Sequence, residues 1–110
     1  MIITNKKDEE EKMTSKQRAH LKSLAMNLDA VFSVGKDSLT DRMIEAIGEH
    51  LEANELMKVS VLKNCADDPR ELAAAIGEAT QSEVVQVIGK KMVFYKQARD
   101  PKDRKIVLPK

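Results

Sequence analysis

Aromatic residues and cysteine are scarce in this sequence, and each scarcity excludes a kind of site. Tryptophan is absent, and Phe32, Phe94 and Tyr95 are the only phenylalanine and tyrosine residues. All three lie in stretches that predict strands, where burial is expected, so a platform of exposed rings for stacking nucleic-acid bases is not predicted. Cys65 is the single cysteine, which excludes an internal disulfide and argues against a cysteine-based zinc site.

Histidine and glycine are also sparse. His20 and His50 are the only histidines, and neither stands at a spacing that predicts a catalytic arrangement with Ser, Cys or Asp, so an enzyme is not expected. The pair Gly35-Lys36 lacks the further glycines of a P-loop or a dinucleotide fingerprint. No cofactor, metal ion or small-molecule substrate is predicted.

No apolar run approaches the length of a membrane span or of a signal peptide. With 110 residues, of which 42% are hydrophobic, the chain fits one small domain with a single core. We expect a soluble, monomeric protein of the reducing cytoplasm. Residues 1–12 predict a disordered N-terminal extension, residues 13–97 a folded domain and residues 98–110 a basic C-terminal tail.

The net charge of +1 hides a strong asymmetry along the chain. Residues 1–12 carry a net charge of −1, residues 13–27 of +3, residues 28–87 of −7 and residues 88–110 of +6. If the two basic segments meet in space, they form a basic surface that binds a polyanion without a high overall isoelectric point.

Hydrophobic periodicity predicts three helices and four strands. Thr14 and Gln17 have the spacing of a capping box at the start of the first helix, and Asp68-Pro69 is a strong start for the third. Gly89-Lys90 fits a tight hairpin turn. The predicted elements are a helix over 15–26, a strand over 31–34, a helix over about 41–53, a strand over 56–62, a helix over about 69–81 and strands over 83–88 and 91–96.

This helix-strand-helix-strand-helix-strand-strand order predicts an α/β sandwich of two or three layers, with helices packed on a mixed four-stranded sheet. In the third helix, Leu72, Ala75, Ile76 and Ala79 are predicted to face the sheet, and the alanine triplet at 73–75 indicates close packing.

The loop from Val34 to Thr40 is the main candidate for a binding site. Gly35 permits a sharp turn after the first strand. The helix that follows, capped by Ser38 or Thr40, directs its free N–H groups back toward the loop, and Lys36 adds a positive charge. This arrangement predicts an anion site.

With base stacking disfavoured, the remaining mode of nucleic-acid binding is recognition of the backbone by a short loop, a helix N-terminus and clustered Lys and Arg. A GXXG loop clamps nucleotides in this manner in K-homology domains. The residues predicted to contact RNA are Lys16, Arg18, Lys22, Gly35, Lys36, Asp37, Ser38, Thr40, Arg42, Lys90 and Lys91.

Several short motifs follow one another in a specific order. They are Lys16-Gln17-Arg18, His20-Leu21-Lys22, Leu24-Ala25, Val34-Gly35-Lys36, Leu39-Thr40, Leu56-Met57-Lys58-Val59, Gln86-Val87-Ile88-Gly89-Lys90 and Val93-Phe94-Tyr95. Together they resemble the CRM (chloroplast RNA splicing and ribosome maturation) domain, in its stand-alone bacterial form, over about residues 13–108.

The resemblance implies an RNA-binding domain with the fold of the C-terminal domain of translation initiation factor three. Bacterial members are associated with precursors of the large ribosomal subunit. The GxxG loop of the family corresponds to Gly35-Lys36-Asp37-Ser38, so a serine replaces the second glycine. If this position requires a positive φ, the serine is strained by about 1 kcal/mol or more.

The sequence and the resemblance together predict a protein that binds the backbone of ribosomal RNA through this loop and a basic helix, in assembly of the large ribosomal subunit. The alternative is a protein-docking module on the ribosome or on a translation factor, which would use the acidic second and third helices.

Overall fold

The computed structural model describes residues 13–109, so the extension predicted over 1–12 lies outside the described residues. Three helices and four strands follow one another in the predicted order. They are α1 (Ser15–Ala25), β1 (Ala30–Val34), α2 (Asp41–Asn54), β2 (Leu56–Val61), α3 (Pro69–Thr80), β3 (Glu83–Ile88) and β4 (Lys91–Tyr95), followed by one turn of 3-10 helix (Pro101–Asp103).

The four strands form one mixed sheet in the order β1-β2-β4-β3. β1 and β2 are parallel, whereas β4 is antiparallel to both of its neighbours. α1 packs on one face of the sheet, and α2 and α3 pack together on the other. The predicted α/β sandwich is confirmed, in its three-layer form.

The helices begin where the sequence predicts. The Gln17 N–H donates to Thr14 Oγ1 at 3.0 Å, and the Thr14 N–H donates to Gln17 Oε1 at 3.2 Å, which completes the capping box. Thr40 caps α2 by accepting from the Met43 N–H. Asp68 caps α3, whose first residue is Pro69.

The face of α3 that packs on the sheet differs from the prediction. Leu72, Ala73 and Ile76 are buried, but Ala75 is exposed, so the predicted placement of Ala75 was wrong. Ala79 is exposed as well, and Gly77 is buried in its place. The reason is close approach: a Cβ on Gly77 would lie 3.0 Å from Val84 Cγ2 and 3.2 Å from a backbone oxygen. Alanine alone does not distinguish a buried from a solvated helix face.

The protein has one apolar core on each face of the sheet. The second core, on the α1 face, includes the C-terminal tail. Leu21 and Ala25 of α1 pack with Val85 and Val93 of the sheet, and Ile106 of the tail joins them. The tail therefore docks on the body of the protein. The two basic segments of the chain lie side by side, as the charge pattern requires for a shared basic surface.

Glu55 fastens the tail to the domain. It is fully buried, and its carboxylate accepts hydrogen bonds from the N–H groups of Ala98 (2.7 Å), Lys105 (2.6 Å) and Ile106 (2.9 Å). Burial by itself raises the pKa of this carboxyl, but the three amides and the positive charge of Arg104 outweigh it, so the pKa lies below its ordinary value of 4.5.

The backbone at Glu55 is also unusual. Its φ is 67°, in the left-handed region, where it ends α2 as the C-cap. Its N–H donates to Leu51 O at 2.7 Å and its carbonyl accepts from the Lys96 N–H at 2.8 Å. A non-glycine residue in this region costs about 1 kcal/mol or more, which charge-assisted hydrogen bonds of about 1.5–3 kcal/mol each offset.

The predicted binding loop keeps a left-handed turn at its last position. Ser38 has a φ of 57°, and its N–H donates to Gly35 O at 2.9 Å. Its hydroxyl donates to Asp67 Oδ2 in the connection between β2 and α3. A serine thus adopts a left-handed backbone that glycine favours, and the hydrogen bond to Asp67 offsets part of its strain.

Among residues 13–109, every helix is too short or too polar to cross a membrane.

Replacing Glu55 with Gln should lower the free energy of unfolding at about pH 7 by about 2–3 kcal/mol, because a charge-assisted network is lost. The depressed pKa means that the carboxylate stabilises the fold above its ordinary value of 4.5. That contribution disappears as the pH falls through the lower pKa of the folded protein. Denaturant unfolding of both proteins at a series of pH values measures it.

Glu49→Gln, at an exposed position of the same helix, is the control and should change stability by less than about 0.5 kcal/mol. Equal stability of wild type and Glu55→Gln at neutral pH would contradict this account of the tail.

The Ser38 geometry gives a second prediction. In a background of Asp67→Ala, the change Ser38→Gly should stabilise the protein by about 1 kcal/mol, because only the strain is removed. In the wild type the gain should shrink by about 0.5–1.5 kcal/mol, since the hydrogen bond is lost as well. Thermal unfolding of the four proteins of this double-mutant cycle measures the coupling.

Gln81→Gly is the control for strain alone, since Gln81 also has a left-handed φ, 58°, at an exposed helix end. A Ser38→Gly effect that is identical in both backgrounds would mean that Asp67 does not hold the turn.

Candidate nucleic-acid interface

The predicted loop, the connection that follows β2 and the β3–β4 hairpin lie at the same end of the sheet. The Leu62 N–H donates to Val34 O at 2.9 Å, which places the end of β2 beside the start of the loop. The Val61 N–H donates to Lys90 O at 2.8 Å, which brings the β3–β4 hairpin to the same end. Gly89, at the hairpin tip, has the positive φ of 58° that its tight turn requires. We call this region the loop end.

Eight of the predicted site residues meet at the loop end. Lys36 and Asp37 are exposed at the loop tip, and Arg42 is exposed in the first turn of α2. Lys90 and Lys91 are exposed at the hairpin. The full set at this end is Gly35, Lys36, Asp37, Ser38, Thr40, Arg42, Lys90 and Lys91.

The other three predicted residues, on α1, lie over the opposite end of the sheet. The buried side of α1 contacts Leu56, at the start of β2, and Tyr95, at the end of β4. Lys16 is exposed and Lys22 is half-buried. The two groups of predicted residues are therefore separated by part of the sheet face.

Arg18 is anchored to the sheet. Its Nη1 donates to Val84 O at 2.7 Å and to Val85 O at 2.9 Å, at the point where the β3–β4 register shifts. Its Nη2 lies 4.0 Å from a carboxylate oxygen of Glu83. The bulge frees carbonyl groups from the ladder, and the guanidinium satisfies them. Arg18 thus fixes α1 on the sheet, with about a third of its side chain still exposed.

Three basic residues near these groups were missed by the sequence analysis. Lys63 and Arg70 are exposed just after β2 and in the first turn of α3, and Lys58 is half-buried on β2. The position of Lys63 could have been predicted. It follows β2 as the loop follows β1, and two parallel strands end at the same edge of a sheet.

Carboxylates at the loop end lie mainly beside the helix starts. Asp67 accepts from Ser38, and Asp68 accepts from the Arg70 N–H at 3.0 Å, so both are used in the turn and the cap. Asp41 stands in the first turn of α2, where the helix dipole stabilises it. The hairpin side of the loop end, with Lys90 and Lys91, is the more positive side.

The aromatic residues and the cysteine lie in buried or packed positions. Phe94 and Tyr95 are buried, and Phe32 packs edge-on against His50 with ring centroids 6.0 Å apart. Cys65 is buried as a free thiol. Burial and the negative charge of Glu55 raise the pKa of Tyr95. In the part of the chain from Met13 to Pro109, no cluster of His, Cys, Asp and Glu could hold a metal ion.

The chain is similar to a family model and to bacterial proteins that are named as RNA-binding. The family model of the CRS1 / YhbY (CRM) domain matches residues 13–96. The chain is 44% identical over 97 residues to a Bacillus subtilis protein named "Probable RNA-binding protein YqeI", an alignment that covers 88% of this chain and 99% of the relative. It is 33% identical to a Haemophilus influenzae protein named "RNA-binding protein", with 89% and 96% covered.

A solved structure has the same fold. The solution structure of the hypothetical protein SAV1595 from Staphylococcus aureus superposes with a TM-score of 0.72 and 45% sequence identity, covering 89% of this chain and all of the other. The family match spans most of the described residues, the relatives align over nearly their full lengths, and the fold is shared. The chain belongs to the CRS1 / YhbY (CRM) domain family.

Proposed function

We propose that the protein binds RNA and that its contacts are chiefly to the phosphate backbone. The observation that carries the proposal is the loop from Gly35 to Ser38, which has a left-handed turn at Ser38 and exposed Lys36 at its tip. A compact turn before a helix N-terminus presents backbone N–H groups to an anion, and lysines add charge. The names of the relatives support RNA as the anion.

Ribosomal RNA in precursors of the large subunit is the RNA that we propose, on the strength of the CRM family's association with such particles. The role is non-enzymatic, is carried out by a monomer and belongs to the cytoplasm. The eight residues of the loop end make the first contacts, and Lys16, Arg18 and Lys22 extend the basic surface along α1.

A second candidate is docking to a protein, favoured by a groove between α2 and α3. Glu45, Glu49 and Glu52 line it together with Gln81 and Lys96. Lys96 and Arg99 already lie 3.5 Å and 3.8 Å from Glu52, so part of its negative charge is neutralised within the chain.

Neutralising Lys22 and Lys36 together, as Lys22→Gln/Lys36→Gln, should weaken binding to structured ribosomal RNA and flatten its salt dependence. For two lost phosphate contacts the slope of log K against log salt should become less steep by about 1.4 to 1.8. Fluorescence anisotropy over a series of salt concentrations measures both quantities.

The matched control is Ala74→Glu/Ala75→Glu, which changes the net charge equally at exposed positions of α3 on the other face of the sheet. It should leave the slope unchanged. If both double variants lose affinity equally, net charge alone governs binding and the loop is not the site.

Sedimentation of cell extracts through sucrose gradients separates the two candidate functions. We expect the protein to co-sediment with large-subunit precursors and to be released when RNA is digested. Association that survives complete digestion would instead support the protein-docking function through the acidic groove.

A further inference from the structure

The sheet face between the loop end and α1 is uncovered and carries a distinctive set of side chains. Ser33 pairs with Ser60 on β2, Ser60 pairs with Lys91 on β4, and Lys91 pairs with Ile88 on β3. These four residues therefore form one row across the whole sheet, about 14 Å wide at the usual strand spacing. Ser33, Lys91 and Ile88 are exposed, whereas Ser60 is buried and its hydroxyl shares a hydrogen bond with that of Ser33 at 2.8 Å.

A second row lies beside the first, toward α1. Lys58 pairs with Ala30 and with Val93, and Gln86 also pairs with Val93. Val93 belongs to the core under α1, which assigns both rows to the α1 face, because residues two apart on a strand share a face. Val93 and Ser60 are buried within these rows. We call the exposed or half-buried residues Ser33, Lys58, Gln86, Ile88 and Lys91 the open strip. They include two lysines and no carboxylate.

The chemistry of the open strip suits nucleotides. Lys58 and Lys91 supply positive charge, and the hydroxyl of Ser33 and the amide of Gln86 can donate to and accept from base edges and ribose hydroxyls. Ile88, with 59% of its surface exposed at an otherwise polar edge, offers an apolar contact for a base. A partner with only acidic side chains would not match Ile88, and a partner with only apolar side chains would leave the lysines without a counter-charge.

The position of the open strip is the second argument. It connects the loop end, with Lys36, Lys90 and Lys91, to α1. On α1, Gln17 holds the tail through Pro109 O at 3.1 Å, and helical geometry places Lys22 on the opposite flank from Gln17. An α-helix is about 10–12 Å wide with its side chains, so α1 forms a wall along one side of the strip, which an unpaired strand can follow more readily than a rigid duplex.

We propose that the open strip binds unpaired nucleotides of the RNA whose backbone the loop holds, so that the protein prefers single-stranded segments. This proposal rests on the proposed function. The new element of this proposal is contact with bases and riboses, on a strip of the sheet that has no aromatic side chain of its own.

The test compares unpaired and fully paired RNA of one length, about 12 nucleotides, at one fixed salt concentration. Ile88→Ala removes the apolar contact without a charge change and should weaken binding of the unpaired RNA about fivefold. Binding of the duplex should change by less than about twofold, since the duplex contacts the charged residues of the loop end. Val107→Ala, a similar truncation at an exposed position of the tail, should alter neither.

Methyl NMR of the unsubstituted protein gives an independent readout. Addition of a short unpaired oligonucleotide should shift the Ile88 methyl signals and leave those of buried Ile76 in place. Thermal unfolding checks that Ile88→Ala is folded. If it is not, the methyl shifts of the unsubstituted protein test the proposal.

The outcomes separate the two proposals. If Ile88→Ala binds unpaired RNA as tightly as the wild type while Lys36→Gln does not, the open strip makes no contact and only the backbone function stands. If Ile88→Ala weakens both RNAs equally, base contact on the strip is excluded. If the wild type binds neither RNA, both proposals fail.

Discussion

The buried carboxylate of Glu55 is the constraint on which the arrangement of the second core depends. A fully buried charge is tolerated only when it is hydrogen-bonded, and here three amides of the tail segment satisfy it. The tail is thereby held against α1, where Ile106 and Leu108 complete the apolar cluster. One charged side chain at the end of α2 thus anchors the tail over residues 98–109.

The placement of the tail has a consequence for the opposite end of the same face. α1 and the tail cover the half of the sheet that begins at Leu56, and they leave the row from Ser33 to Ile88 uncovered. The loop from Gly35 to Ser38 stands at the edge of that uncovered half. α1 and the C-terminal tail therefore determine which part of this sheet face remains available to a ligand.

Arg18 and Ser38 have structural roles that their positions in the sequence do not reveal. Arg18, read from sequence as part of a basic helix face, satisfies two carbonyls at a strand bulge. Ser38 has a left-handed backbone, and its hydroxyl donates a hydrogen bond to Asp67. Both side chains do structural work that spacing along the sequence does not reveal, because their partners lie far away in the chain.

The sequence by itself determined the element order, the helix caps at Thr14 and Asp68, and the loop, since caps, turns and periodicity act over a few residues. It misjudged the buried face of α3, because the spacing of small residues does not show which side of the helix meets the sheet. The close approach of Gly77 to Val84 fixes that side in the fold. Only the tertiary structure decided the burial of Glu55, the position of the tail and the alignment of Ser33, Ser60, Lys91 and Ile88 across four strands. These features depend on strand register and long-range hydrogen bonds, which no local pattern encodes.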